Sequence, residues 1–560
     1  MKLNRTIDFR SRKLVSWGAL SLVGLLFAIG CASDDDEGDG GTNSKSGSAN
    51  GDQSDLGFSE GNSGKGGATS VNVDGDFQGF GGASDDPNTP TRDWLPEEFE
   101  DQQSYRAPVA TGKYLWSANP LSGRIALIDA KDLTVQVLSA GLAPTFLTSL
   151  PVMGDTQGAL VINTGSSDVS RFRVTAGKVS QDRIATHVGA NRWSVSSSGK
   201  WAVAWSGEEE GVQLDPTEGL QEITVLKLDG AQMVATRITV GYRPSDVLVS
   251  EDDARLVVVS QEGITQIDLS GTPDSSDWIE LGVGDSGRDV SLSEDGNFAL
   301  VREANALSVQ IIDLTDSSSR ADLAFNGRVT DADLSASGRA VVVVREKSEL
   351  SLFDLEEVFQ DPTAIDTVKL TGEFFGSVDI TESGNTALVY TTAVLSKRVS
   401  VVDLNESGDD YLGFRPIKVP SPVLGVNLTP DGDHAVILAG DDLGNRADGF
   451  SLISLAQARF PRVVGTAAPV TQMALSNDFG LVTTSDQAGV HEAHLIRFPG
   501  LSVETTRLAT EPLATGALPD FSTAYVAQRH PEGRVTFFEL NPDLARTLTG
   551  FELSAEVVDE

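Results

Sequence analysis

Three aspartates recur four residues ahead of one turn signature in successive units of this chain: Asp246 before Ser250, Asp289 before Ser293 and Asp331 before Ser335. Arg192 holds the same place ahead of Ser196, and Arg243 and Arg288 stand close by. Asp333 and Asp379 lie further along equivalent strands. Carboxylates and guanidinium groups gathered on one rim could take a cation, a sugar or a peptide. The simpler alternative is a set of solvated, mutually paired charges. A second aspartate series ends strands in Asp-Leu: Asp268, Asp313, Asp354 and Asp403, with Asp129 in the related Ile128-Asp129-Ala130. Its constancy at one repeat position reads as a carboxylate closing the following turn, not as catalysis.

The remaining inventory is sparse. The five histidines are His187, His434, His491, His494 and His530. His491 and His494 fall in one strand and point to opposite faces. Their HEAH setting is not the helical HExxH of a metalloprotease. These histidines are expected on the surface or in loops. The single cysteine, Cys31, excludes an internal disulfide and a cysteine-based haem or iron–sulfur site. Asp441, Asp442 and Asn445 with Asp448 read as a solvated turn. No cofactor is expected.

The elements that would position these groups are short β-strands. From residue 109 onward, Val/Ile/Leu-rich runs alternate with polar residues and stop at Gly, Asp, Asn or Ser. The marker turn has the form Ser/Thr-x-Asp/Ser-Gly, as in Ser196-Ser197-Ser198-Gly199, Ser293-Glu294-Asp295-Gly296, Ser335-Ala336-Ser337-Gly338, Thr381-Glu382-Ser383-Gly384 and Thr429-Pro430-Asp431-Gly432. Degenerate copies start at Ser250 and Ser476. Spacings of about 42 to about 54 residues match four-stranded propeller blades. The hydroxyl caps the turn, Asp binds backbone N–H groups and Gly supplies a positive φ.

The fold class is therefore all-β: a propeller of nine to ten four-stranded units over 108–556. The units begin near Lys113, Gly158, Trp201, Arg255, Phe298, Arg339, Thr386, His434, Leu481 and Thr523. The last shows three strands, and residues 107–110 are expected to supply its fourth and so close the ring. Two tandem propellers are the alternative to one ring. Leu355 to Phe359 allow at most one helical turn.

Residues 1–30 read as an export signal. Lys2, Arg5, Arg10, Arg12 and Lys13 precede an apolar run interrupted by Gly18 and Gly24. Ala28-Ile29-Gly30-Cys31 resembles a bacterial lipobox, which implies lipidation of Cys31 and stable anchoring by its acyl chains. Ala32 after the cysteine implies, by the same resemblance, an outer-membrane lipoprotein facing periplasm or cell surface. Residues 31–107, rich in Gly, Ser and Asp, cannot bury enough apolar surface to order and are expected to form a disordered tether. Its r.m.s. reach is ~45 Å. The segment from Trp94 to Phe99 reads as a short docking element.

The segments PSDVLVSEDDARLVVVS (244–260) and GVNLTPDGDHAVILAG (425–440) resemble bacterial YVTN-type and WD40-like propeller repeats. Such repeats serve adhesion, scaffolding, hydrolysis and redox chemistry, so the resemblance implies architecture more than activity. With 42 Lys+Arg against 81 Asp+Glu the net charge is −39, which opposes binding to nucleic acid. The expected function is a lipid-anchored binding or scaffolding module for an envelope protein or glycan. The alternative is a lactonase-like hydrolase using a divalent cation in the central channel.

Overall fold

The computed structural model describes residues 105–551, apart from 208–219, 274–275, 282–287, 304–305, 317–318, 371, 406–412, 442–445 and 541–542, together with 556–557. The signal, Cys31, the segment from Trp94 to Phe99 and nearly all of the expected tether lie outside the described residues. Tyr105 and Arg106 already belong to the folded part. The Tyr105 ring meets Phe551 edge-on at 4.9 Å, and Arg106 N donates to Ala118 O.

The chain forms ten antiparallel blades, each an up-and-down sheet of four consecutive strands. They span 109–139, 144–185, 192–239, 244–280, 289–324, 329–369, 377–418, 423–465, 470–507 and 512–549, numbered 1 to 10 here. The only α-helix among the described residues is Leu355–Gln360, capped by the Asp354 carboxylate. The second and third strands are apolar on both faces, as in Arg339–Val344 and Glu349–Asp354, because each blade is covered on both sides. Outer strands are more exposed and alternate, as in Lys178–Ala185.

Ten apolar clusters fill the ten blade-to-blade interfaces. One of them joins blade 10 (Leu518, Tyr525, Phe537) to blade 1 (Leu115, Ile128, Val135), which makes the array a single closed ring. The inner strands of blades 1 and 10 also lie side by side.

Two sequence-based expectations need correction. The strand ahead of each marker turn pairs with the strand behind it, so every blade starts one strand earlier than the sequence frame suggested. Blade 10 accordingly owns four strands, beginning with Pro512–Leu518. Val109–Thr111 pairs within blade 1, with Tyr114–Asn119, and does not complete blade 10. The strand that crosses the closure is instead Glu556–Val557, added in parallel to the outer strand of blade 1, Val135–Ser139.

The histidines are the second correction, since three of the five are buried. His187 is bonded to Thr224 and 3.2 Å from Ser206, His434 stacks on Phe498, and His494 bonds Thr505. Both ring nitrogens of His187 have partners, whereas His434 Nδ1 and His494 Nε2 are buried without a hydrogen-bond partner, and burial lowers the pKa of all three.

The turn chemistry follows the sequence reading. Ser293 Oγ donates to Asp295, Phe298 N donates to Ser293 Oγ at 2.9 Å, Asn297 N donates to Asp295 at 3.0 Å, and Gly296 has φ 68°. The Asp-Leu series also closes turns: Asp129 accepts from Lys131 N, Asp268 from Ser270 N, Asp313 from Thr315 N and Asp403 from Asn405 N.

Candidate functional site

An up-and-down blade sends its loops to two faces. The marker turns, between first and second strands, share one face with the loops joining third to outer strands. The opposite, crossover face carries the links from each outer strand to the next inner strand, and the loops between second and third strands. The six charged candidates all lie at the crossover end of inner strands. Arg192 opens Arg192–Val195, Arg243 precedes Pro244–Val249, and Arg288 precedes Asp289–Leu292. Asp246 and Asp331 are each third in their strand.

A feature not anticipated from sequence re-aims two of them, Asp246 and Asp331. In blades 2, 4, 6, 8, 9 and 10 the inner strand is irregular after its first residue, with one residue bulged out of register. Four of the six bulged residues bear hydroxyls: Thr145, Ser245, Thr330 and Thr471. Ser245 and Thr471 donate to carbonyls of the adjacent second strand, at 3.4 and 3.2 Å. A bulge re-aims the next side chain. The next side chain in blade 6, Asp331, accepts from Val378 N of blade 7 at 2.9 Å, and in blade 9 Gln472 donates to Leu513 O of blade 10 at 2.7 Å. Asp333 repeats the arrangement with Ile380 N at 2.9 Å.

The structure gives the remaining candidates separate partners. Asp289 pairs with Arg302 at 3.4 Å. Asp246 accepts from Val247 N at 2.8 Å. Burial pushes the Asp246 carboxyl up to about 6, opposed by the Val247 hydrogen bond and assisted by the nearby Asp289 charge. Arg288 clamps blade 4 to blade 5 through Gln261 O, Leu281 O and Glu303. Arg243 has φ 53° and lies over the Tyr242 ring at 5.4 Å. The Arg192 stem packs against Gly207, where a Cβ would come within 2.9 Å of it. Asp379 lies beside the half-buried Tyr390, whose phenol is pushed up by desolvation and then by that carboxylate. Asp448 is paired with Arg446 at 2.7 Å. Among the described residues no cluster of three or more His, Cys, Asp or Glu is placed to hold a metal ion.

One open cavity lies at this end of blades 5 to 7, about 280 Å³ in volume. Its walls are Arg302 at the end of one second strand, Val329 and Thr330 of the blade 6 inner strand, Arg345, Gly376, Ser377 of the blade 7 inner strand, and Thr391 to Ala393. The lining is two guanidinium groups and four hydroxyl side chains, with little apolar surface. Exposed Leu307, Phe374, Val394 and Leu395 come from loops of the same sector and face. Phe460 and Phe521 are exposed on the opposite face. Sequence reading missed Arg302 and Arg345. The available signal was an arginine closing the apolar second strand in two successive units, FALVR and RAVVVVR.

No protein-family model matches the sequence, and no curated protein matches it. Solved structures with a similar trace carry diverse descriptions. A eukaryotic initiation factor is 12% identical with TM-score 0.44, the match covering 80% of this chain and 96% of that one. Dihydro-heme d1 dehydrogenase NirN in complex with DHE is 16% identical with TM-score 0.39, covering 61% and 75%. Apo AztD from Citrobacter koseri is 12% identical with TM-score 0.38, covering 61% and 92%.

Proposed function

We propose that the chain is a membrane-anchored, extracytoplasmic binding or scaffolding propeller, tethered through lipidated Cys31 and docking an envelope protein or glycan on its crossover face. The observation that carries this reading is how the inner-ring carboxylates are used. Asp331 and Asp333 are committed to backbone N–H groups of the next blade. The open polar cavity and the apolar side chains around it lie instead on a loop face. Loops on a rigid scaffold are where recognition concentrates. The lipid anchor and outer-membrane address rest on the lipobox resemblance and belong to this proposal.

Three measurements test it. Cys31→Ser should move the protein from the membrane to the soluble fraction of a fractionated cell; an unchanged distribution removes the anchor. Pull-down from envelope extracts should lose its partner with Phe374→Asp plus Leu395→Asp and keep it with Phe460→Asp on the other face. Equal recovery by both proteins removes the docking face. Replacing Asp246, Asp289 and Asp331 together by Asn tests the charged rim: unchanged partner affinity and specificity would take these residues out of recognition.

The lactonase-like reading draws on one observation: Asp246 and Asp289, on neighbouring inner strands, are close enough for one charge to raise the other's pKa. Metal analysis of the purified protein decides it, because that reading requires a stoichiometric divalent cation.

A further inference from the structure

The cavity between blades 5 and 7 is built for an anion in a protein that is otherwise strongly acidic. Arg302 is anchored from one side only. One terminal nitrogen meets Asp289 at 3.4 Å, while Nε is buried with no hydrogen-bond partner. A buried, unpaired guanidinium N–H is costly to leave unsatisfied. Arg345 makes no hydrogen bond or ion pair through its guanidinium among the described residues, and only its carbonyl is engaged, by Ser348 N. Its stem lies over Gly376, where a Cβ would stand 3.0 Å from its Cδ, so glycine there leaves room for this side chain. Asp289 offsets one of the two positive charges, and the lining itself contains no carboxylate. Thr330, Ser377, Thr391 and Thr392 complete the wall with hydroxyl groups.

We propose that this cavity is a binding site for a small ligand bearing one oxyanion group, carboxylate or phosphate, with hydroxyls on the remainder. Arg345 supplies the forked donor to the oxyanion, as guanidinium groups do for carboxylate and phosphate. The hydroxyl wall engages the rest, with Arg302 alongside. The volume admits a ligand of monosaccharide size. The site stands apart from the docking reading, since a free anion tests it without any partner protein.

The test is calorimetric titration of the full chain, solubilised in detergent, at constant ionic strength held with sodium chloride. Acetate and inorganic phosphate probe the bare oxyanion; glucuronic acid and glucose 6-phosphate probe the same groups on a sugar. Saturable binding by at least one probe is expected, weakened about tenfold or more by Arg345→Gln, as loss of a charge-assisted hydrogen bond implies. The ranking of the four probes then assigns carboxylate or phosphate, free or sugar-borne. Thr392→Val, on another wall, should weaken the sugar-borne probes; it serves as the variant of record if Arg345→Gln lowers the melting temperature of the ligand-free protein. Absence of saturation with all four probes overturns the site. So does saturable binding unchanged in a folded Arg345→Gln or, where that variant is impaired, in Thr392→Val.

Discussion

Asp331 Oδ2 accepts a hydrogen bond from Val378 N at 2.9 Å, and so joins the inner strand of blade 6 to that of blade 7 across 47 positions of sequence. Its other oxygen accepts from Ala332 N at 3.0 Å. One carboxylate thus satisfies two backbone donors at a seam where neighbouring sheets share no ladder. Replacing Asp331 by Ala leaves the buried Val378 N–H unpaired and should destabilise the protein by about 2 kcal/mol. Asn, which keeps an acceptor oxygen, should cost less. Denaturant unfolding of the two variants measures the difference.

Gly296 is constrained twice. Its φ is 68°, and a Cβ there would stand 2.6 Å from Ser250 Cβ in the marker turn of blade 4. Gly489 has φ 83° with open space around the same direction. Gly489→Ala should therefore cost about 1 kcal/mol of backbone strain. Gly296→Ala should cost about 2 kcal/mol or more, because overpacking adds to strain. Melting temperatures of the pair separate the two effects.

Arg171 is an almost completely buried cation. It forks onto Asp182 at 2.7 and 2.9 Å and donates to Leu228 O of blade 3 at 2.6 Å. Asp182 in turn accepts from Met233 N at 2.7 Å. Arg171→Met strands the Asp182 charge and should destabilise by about 3 kcal/mol. Arg171→Met combined with Asp182→Leu should recover part of that loss, as a double-mutant cycle would show.

Two groups give the stability opposite pH slopes. Burial raises the Asp246 carboxyl from 3.8 to about 6, so the folded protein binds more protons than the unfolded chain in that window. Its contribution is fully present below pH 3.8 and is lost as pH rises through about 6. Asp246→Asn should thus be more stable than wild type by about 3 kcal/mol above that window and equal to it below. Burial lowers His187 from 6.5 to about 4, with Arg237 adding to the effect. There the unfolded chain takes the proton first, and stability falls as pH drops from 6.5 towards 4. Chemical denaturation across pH, with NMR titration of the His187 ring, checks both signs.

The local chemistry of this fold was legible in its sequence because turns depend on neighbouring residues. Ser293, Asp295 and Gly296 bond one another and their own backbone, so their types and spacing carry the information. The unit count followed from the same marker. What lay beyond reading were relationships between units. The Gly296 contact with Ser250, the bulge that aims Asp331 at Val378, and the burial of His187 against Thr224 all depend on how one sheet stacks on the next. The frame error had the same origin: a marker locates a turn but does not say which flanking strand begins the blade. Among the charged candidates, Asp246, Asp289 and Asp331 lie at one end of the inner strands. The sequence could not show that Asp331 is engaged by the adjacent blade, or that Arg302 and Arg345 border a cavity.

The parallel pairing of Glu556–Val557 with the outer strand of blade 1 has a consequence for biogenesis. The Tyr525 hydroxyl meets Pro108 O from 417 positions away, so the seam joins segments synthesised far apart in time. Blade 1 leaves the ribosome with an unprotected outer edge and one bare flank, and both stay so until residues 512–557 have been made. Contacts of such long range are slow to form, and open strand edges invite pairing with other chains. A nascent or truncated chain lacking that last blade therefore keeps an open edge exposed to pairing with other chains.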